Sequence, residues 1–121
     1  MKKLFTAVAF SAATAVSAQG INDAQVMARC SADFATAATI VGTQSPMFNQ
    51  LMASSRQSLA ISRGMYQKNG ASPTRAETEA KSWIDTLNRQ HARDPAYVRS
   101  YLVDQTKGCG QDNAKFQALA R

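Results

Sequence analysis

The stretch NDAQVMARCSADFATAATIV, from Asn22 to Val41, decides the fold because its apolar side chains recur at helical spacing. The residues on one face of this stretch are Val26, Cys30, Phe34, Ala37 and Val41. A stripe of that kind is typical of an amphipathic helix that packs one side against a core. The sequence therefore predicts a first helix over 22–41, with Cys30 facing inward.

Prolines predict where the following helices begin. Each proline follows a residue that often caps a helix, in the pairs Ser45-Pro46, Ser72-Pro73 and Asp94-Pro95. Proline is favoured at the first helical position, and the Ser or Asp oxygen before it accepts hydrogen bonds from free amides. We therefore expect helices over about 46–68, 73–91 and 95–106.

Glycines predict where the helices end. Gly42, Gly70 and Gly108 follow the apolar patterns, at positions where left-handed C-caps are expected. The segment Gly108-Cys109-Gly110 is interpreted as a turn, and a short tail helix from Asp112 is expected to bury Phe116 and Leu119. No segment alternates as a strand would. The predicted fold is all-α, a single small bundle of four to five helices.

The N-terminus indicates export. Met1-Lys2-Lys3 is a basic start, Leu4 to Ala15 is apolar or small, and Val16-Ser17-Ala18 resembles a cleavage site. We expect residues 1–18 to be a signal peptide and residues 19–121 to form one helical domain, periplasmic or secreted, with no integral membrane segment after cleavage. Removing Lys2 and Lys3 lowers the formal net charge from +6 to +4.

The chain has two cysteines, Cys30 and Cys109. An exported protein meets an oxidising compartment, where an even number of cysteines usually means pairing. Their separation excludes the closely spaced pair of a thioredoxin-like or haem-attachment site. The sequence predicts one disulfide, which would tie the first helix to the end of the fourth.

Reactive groups are sparse. His91 is the single histidine, at the end of the third helix, and its ordinary interpretations are packing or a charge beside the helix C-terminus. Glu77 and Glu79 fall on different helix faces, so we interpret them as solvated acids of a first turn. No nucleophile motif or second histidine accompanies them. We expect no enzyme activity, no metal and no cofactor.

The positive charge does not indicate nucleic acid. Lys and Arg side chains are scattered among acids in the mature chain, with no basic run and no aromatic platform. A solvated mixed surface is the simpler interpretation.

The flanks of the cysteines carry a resemblance. The segments CSADF at 30–34 and CGQDNAKF at 109–116 resemble the corresponding segments of the HdeA-type periplasmic acid-stress chaperones. That resemblance implies a helical holdase that exposes apolar surface on acidification. The chain also resembles small exported helical proteins of proteobacteria with one distant cysteine pair, a resemblance that implies no function.

Two classes of function remain open. The first is a non-enzymatic module that binds a protein partner, as a chaperone, an inhibitor or immunity protein, or an accessory subunit. The second is a small periplasmic enzyme or cofactor-binding bundle with an unrecognised site. For the first, Met47, Ile61 and Met65 fall off the main stripe of the second helix and are candidate partner-binding residues. Alternatively, these three residues form a second buried face of that helix.

Overall fold

Four helices follow one another in a computed structural model of the protein, which describes the backbone of residues 2–117 and the side chains of residues 19–117. They are α1 (Lys2–Val41), α2 (Phe48–Lys68), α3 (Arg75–Arg93) and α4 (Pro95–Phe116). All regular secondary structure in this part of the chain is helical. The prediction of a helical bundle is confirmed.

The first helix, α1, is the central helix, and it packs against each of the other three. Small side chains, mostly alanine, let several helices approach it closely. The buried residues of α1 are Ala24, Met27, Ala28, Cys30, Ser31, Ala32, Asp33, Phe34, Thr36 and Ala38. These positions cover more than one face of the helix, so the prediction of one buried face was too narrow. Val26 and Val41, predicted on that face, are 45% and 42% exposed.

Serines fill much of the interface between α1 and α2. Ser62 donates a hydrogen bond to the carbonyl of Ala24 at 2.6 Å, and Ser55 donates to another α1 carbonyl at 2.8 Å. Ser58 donates to the side-chain oxygen of Asn113 on α4 at 2.6 Å. Because each hydroxyl has a partner, these polar side chains can be buried at little cost.

The predicted disulfide between Cys30 and Cys109 is confirmed. It joins the middle of α1 to α4, with a Cα–Cα distance of 5.5 Å. Both cysteines pack with Phe34 and the partly buried Leu51. The bond therefore lies inside the bundle, where it fixes α4 against the central helix.

The helix starts differ in part from those predicted from the prolines. Asp94 caps α4 as expected, since its Oδ1 accepts the amide of Tyr97 at 3.1 Å. Ser45 and Ser72 instead accept the amide two residues ahead, at 3.2 and 3.4 Å. These serines form turns, and α2 and α3 begin after them, at Phe48 and Arg75.

Helix α4 corrects the prediction for the C-terminal region. Gly42 and Gly70 have the expected positive φ, of 82° and 83°, whereas Gly108 does not. Gly108-Cys109-Gly110 is helical, and α4 continues through it to Phe116. The predicted turn and separate tail helix are therefore wrong. Phe116 is partly buried against the core, and Leu119 lies outside the described residues.

The glycines inside α4 give a stability prediction. A Cβ added at Gly108 or at Gly110 would meet no atom within 4 Å. Glycine in a helix interior costs about 0.5–1 kcal/mol relative to alanine, through the entropy of the unfolded chain. We expect Gly108→Ala and Gly110→Ala each to raise the free energy of unfolding by about that amount in urea titrations. Gly42→Ala is the opposite control, because its positive φ strains any side chain.

The predicted signal peptide, residues 1–18, falls on residues whose side chains lie outside this description, so it stays a prediction. Within the described residues, no helix combines the length and the apolar character that crossing a membrane requires.

Candidate functional site

An apolar groove opens where the end of α1, the start of α2 and the middle of α4 meet. Its volume is about 350 Å³. The residues that line it are Ala37, Ile40, Val41, Met47, Leu51, Arg99, Leu102, Val103 and Thr106. We call it the α1–α4 groove. Most of its lining is apolar, and the polar Thr106 hydroxyl is already bonded to the carbonyl of Leu102 at 2.7 Å.

Large apolar side chains at the edges of the α1–α4 groove are exposed. Met47 is 55% exposed, Val103 57% and Val41 42%. The floor is buried by comparison, since Leu102 packs in a cluster with Leu87 and Val98. The groove is therefore a hydrophobic surface on a well-packed base.

The turn between α1 and α2 shapes one end of the groove. Gly42 ends α1, and its amide bonds to the carbonyl of Ala38 at 2.9 Å. Ser45 then turns the chain by accepting the amide of Met47. This turn places Met47, the residue before α2, across the groove from α4.

A smaller cavity of about 190 Å³ continues the α1–α4 groove. The two share Met47, Leu51 and Thr106, and the smaller cavity extends toward Phe34, which packs on the disulfide. Lys107 also lines it. The apolar surface thus runs from the end of α1 to the disulfide region.

The charged residues that line these two cavities are both basic, Arg99 and Lys107. Both belong to α4 and both are exposed. From residue 34 to residue 55, which covers the end of α1, the turn and the start of α2, the sequence contains no charged side chain. The charge at the groove comes from α4.

The structure separates the three predicted partner-binding residues. Met47 lies in the α1–α4 groove, whereas Ile61 and Met65 are 4% exposed and pack with Met27 and Tyr66. The expectation that Ile61 and Met65 are surface residues is therefore wrong. Both residues face the central helix. They form the second buried face of α2, which was the alternative interpretation of the sequence.

A buried carboxylate forms a second notable cluster. Asp33 on α1 is 2% exposed, and its Oδ1 accepts a hydrogen bond from Trp83 Nε1 at 2.9 Å and from the Tyr101 hydroxyl at 3.4 Å. The Cys109 sulfur lies 3.9 Å from Oδ2, but a disulfide sulfur has no proton to donate. Asp33 thus ties α1 to α3 and α4 beside the disulfide.

Burial changes the acidity of this cluster. Desolvation raises the pKa of Asp33 to about 6, against the lowering effects of the Trp83 and Tyr101 hydrogen bonds and of the Arg29 charge. Desolvation and the nearby Asp33 also raise the pKa of Tyr101 to about 12. The tyrosine hydroxyl therefore keeps its proton and remains a donor to the carboxylate.

Ion pairs also join the helices. Arg29 pairs with Glu79 at 3.0 Å and its guanidinium lies 4.9 Å from the centre of the Trp83 ring. Glu77 pairs with Arg63 of α2. Both glutamates were interpreted as solvated acids of a first turn, and the structure pairs them with Arg29 and Arg63. The pairs are partly exposed, so each contributes little to stability.

The described residues contain no assembly suited to metal binding. No group of three or more His, Cys, Asp or Glu side chains among them could hold an ion. His91 lies in the last turn of α3, and its Nε2 is buried without a hydrogen-bond partner. Asp33 lines neither of the two cavities.

Sequence reasoning identified Met47 and missed the rest of the α1–α4 groove. A usable signal was present on α4, where Arg99, Val103 and Lys107 recur every four residues. The signal for Asp33 was an acid on a predicted inward face, three residues after Cys30.

Comparisons of this chain with protein-family models, with curated proteins and with solved structures found no match.

Proposed function

We propose that this protein is a small exported, non-enzymatic helical protein that binds a protein partner in the α1–α4 groove, in a chaperone, inhibitor, immunity or accessory role. The observation that carries the proposal is the meeting of Val41, Met47 and Val103 at one groove, all exposed. Exposed large apolar side chains that cluster at a groove usually mark an interaction site.

The shape of the groove favours a helical segment of a partner over a small molecule. Small-molecule sites usually bury most of the ligand surface. Here the edge residues remain about half exposed, so an occupant would be covered on one side. An amphipathic helix, which has one apolar face to bury and one polar face to leave in water, fits such a groove.

The chemistry of the lining supports binding over catalysis. Acyl transfer and proton transfer need a nucleophile or base held beside a partner group. The lining supplies Arg99, Lys107 and the Thr106 hydroxyl, which is bonded to the backbone. The described lining offers no acid, histidine or thiol to activate that hydroxyl.

Export and a periplasmic or secreted location are part of the same proposal. The disulfide between Cys30 and Cys109 is compatible with an oxidising compartment. The expected signal peptide, residues 1–18, would deliver the chain there. A partner is then to be sought among exported proteins.

The proposal is tested by removing the apolar edge of the groove. We expect Met47→Ser with Val103→Ser to lower recovery of the partner from periplasmic extract at least tenfold, because apolar anchors carry much of the energy of such contacts. Thermal stability should be unchanged, since both side chains are more than half exposed. Co-purification followed by mass spectrometry measures the recovery.

Tyr97→Ser is the matched control. Tyr97 is also on α4 and is 61% exposed, but it does not line the groove. A protein that the wild type and Tyr97→Ser recover, and the double variant does not, supports the proposal. Equal recovery by all three proteins contradicts it.

A further inference from the structure

We infer that the partner segment of the α1–α4 groove is an acidic amphipathic helix, with carboxylates on either side of its apolar anchor. This inference rests on the proposed function, and it names the chemistry of the partner. Its basis is the arrangement of charge along α4.

Helix α4 presents a basic–apolar–basic stripe along the α1–α4 groove and the smaller cavity that continues it. Arg99, Val103 and Lys107 are spaced four residues apart, so they lie on one face of the helix. At a rise of about 1.5 Å per residue, the two basic residues are about 12 Å apart along the helix axis, with Val103 between them. Each basic side chain is therefore about one helical turn from the exposed apolar centre.

Among the described residues, none on the facing side of the groove carries a charge that balances Arg99 and Lys107. The chain between residues 34 and 55 supplies the other walls, and it contains no acidic or basic side chain. On α4 itself the nearest acid is Asp104, which is exposed and lines neither cavity. The groove thus keeps a net positive rim around an apolar floor.

Charge complementarity then specifies the occupant. A partner helix whose apolar face enters the groove would complement the rim with Asp or Glu about four residues before and four residues after its central anchor. Lys or Arg at those positions would face Arg99 and Lys107 and be repelled. The expected discrimination is largely electrostatic, and salt should weaken it.

Two designed peptides test the inference. Both are 17-residue amphipathic helices with the same leucine stripe; one has Glu, and the other Lys, four residues to either side of the central leucine. We expect the exported protein to bind the Glu peptide roughly tenfold more tightly in 10 mM salt, as two exposed ion pairs would give. Fluorescence anisotropy measures both affinities, and the preference should largely disappear in 500 mM salt.

Reversing the charges of Arg99 and Lys107 tests whether α4 causes the preference for the Glu peptide. We expect Arg99→Glu with Lys107→Glu to invert the order of the two peptides. The control is Lys81→Glu with Arg89→Glu on α3, which changes net charge equally at exposed positions away from the groove. This control should keep the preference for the Glu peptide. If it loses the preference as well, the selectivity reflects overall charge and the inference is overturned.

The outcomes separate this inference from the proposed function. Equal binding of both peptides, lost in Met47→Ser with Val103→Ser, overturns the acidic partner and leaves the proposed function standing. Failure of both peptides to bind, with tight binding of laurate by calorimetry, overturns both and assigns the groove to a small amphiphile. A dimer of the protein alone that Val103→Ser dissociates would instead assign the groove to a second copy.

Discussion

Replacing Cys30 and Cys109 together by alanine is expected to lower the free energy of unfolding by about 4 kcal/mol. The disulfide closes a loop between residues 79 apart in sequence, and it holds α1 against α4 inside the bundle. A cross-link over so long a loop restricts the unfolded chain strongly, and in the chain-entropy model this restriction is its main contribution. For a small domain, 4 kcal/mol is a large share of the total stability.

Urea unfolding followed by circular dichroism measures this loss. We expect the variant to keep a helical spectrum without denaturant, because α1 also packs against α2 and α3. The wild type treated with a reducing agent should unfold at a similar urea concentration. A difference below about 1 kcal/mol between wild type and variant would show that the bond adds little to the packing.

The helical class and the disulfide could be predicted from the sequence. Helix ends are marked by local residues, and two cysteines allow only one internal pairing. Asp94-Pro95 began a helix as expected, since the capping side chain of Asp94 and the proline ring of Pro95 determine that start. Gly42 and Gly70 ended helices because a positive φ is a local property.

The burial of α1 could not be predicted from its periodicity. An apolar stripe indicates one buried face, and this prediction holds for a helix with core on one side. Here α1 packs against three other helices, and Ala24, Ala28 and Ala32 are buried because these helices approach there. The number of neighbours of a helix is a tertiary property, which the pattern of one segment does not contain.

The burial of polar side chains could not be predicted from the sequence either, for a related reason. Ser58 and Ser62 are fully buried, although serine is a polar residue in any sequence pattern. Their hydrogen-bond partners belong to α4 and α1, namely Asn113 and the carbonyl of Ala24. A serine can be buried where such a partner is in reach, and the sequence does not show which residues meet across helices.

The continuation of α4 through Gly108 and Gly110 shows tertiary contacts outweighing local propensity. Two glycines cost a helix about 2 kcal/mol relative to alanine. Between them, Cys109 is bonded to α1, and beyond them Asn113 is buried against α2. These contacts hold the backbone helical where the residues alone predicted a turn.

The second large effect concerns Asp33 and pH. Burial raises the pKa of this carboxyl from its ordinary value of 3.8 to about 6 in the folded protein. The fold therefore favours the protonated form. Its contribution to stability is fully present below about pH 4, and it is lost as the pH rises through 6. The difference between the two pKa values corresponds to about 3 kcal/mol.

Other groups that face Asp33 set the size of this effect. Arg29 on α1 stabilises the charged form, as do the hydrogen bonds from Trp83 on α3 and Tyr101 on α4. Desolvation outweighs all three, because the carboxylate is almost completely closed to water. The acid-triggered opening implied by the resemblance to acid-stress chaperones would thus have to begin at other groups, since protonating Asp33 stabilises the fold.

Asp33→Asn isolates the effect, because asparagine keeps the shape and stays neutral. We expect the free energy of unfolding of the wild type to fall, relative to Asp33→Asn, by about 2.4 kcal/mol between pH 4 and pH 7.5. Urea titrations of both proteins across that range measure the difference, and effects of other titrating groups cancel in it. Asp104→Asn, at an exposed aspartate of α4, should differ from the wild type by less than about 0.5 kcal/mol throughout. If the free energy of unfolding of the wild type rose relative to that of Asp33→Asn with increasing pH, the buried carboxyl would favour its charged form. The argument from desolvation would then be wrong.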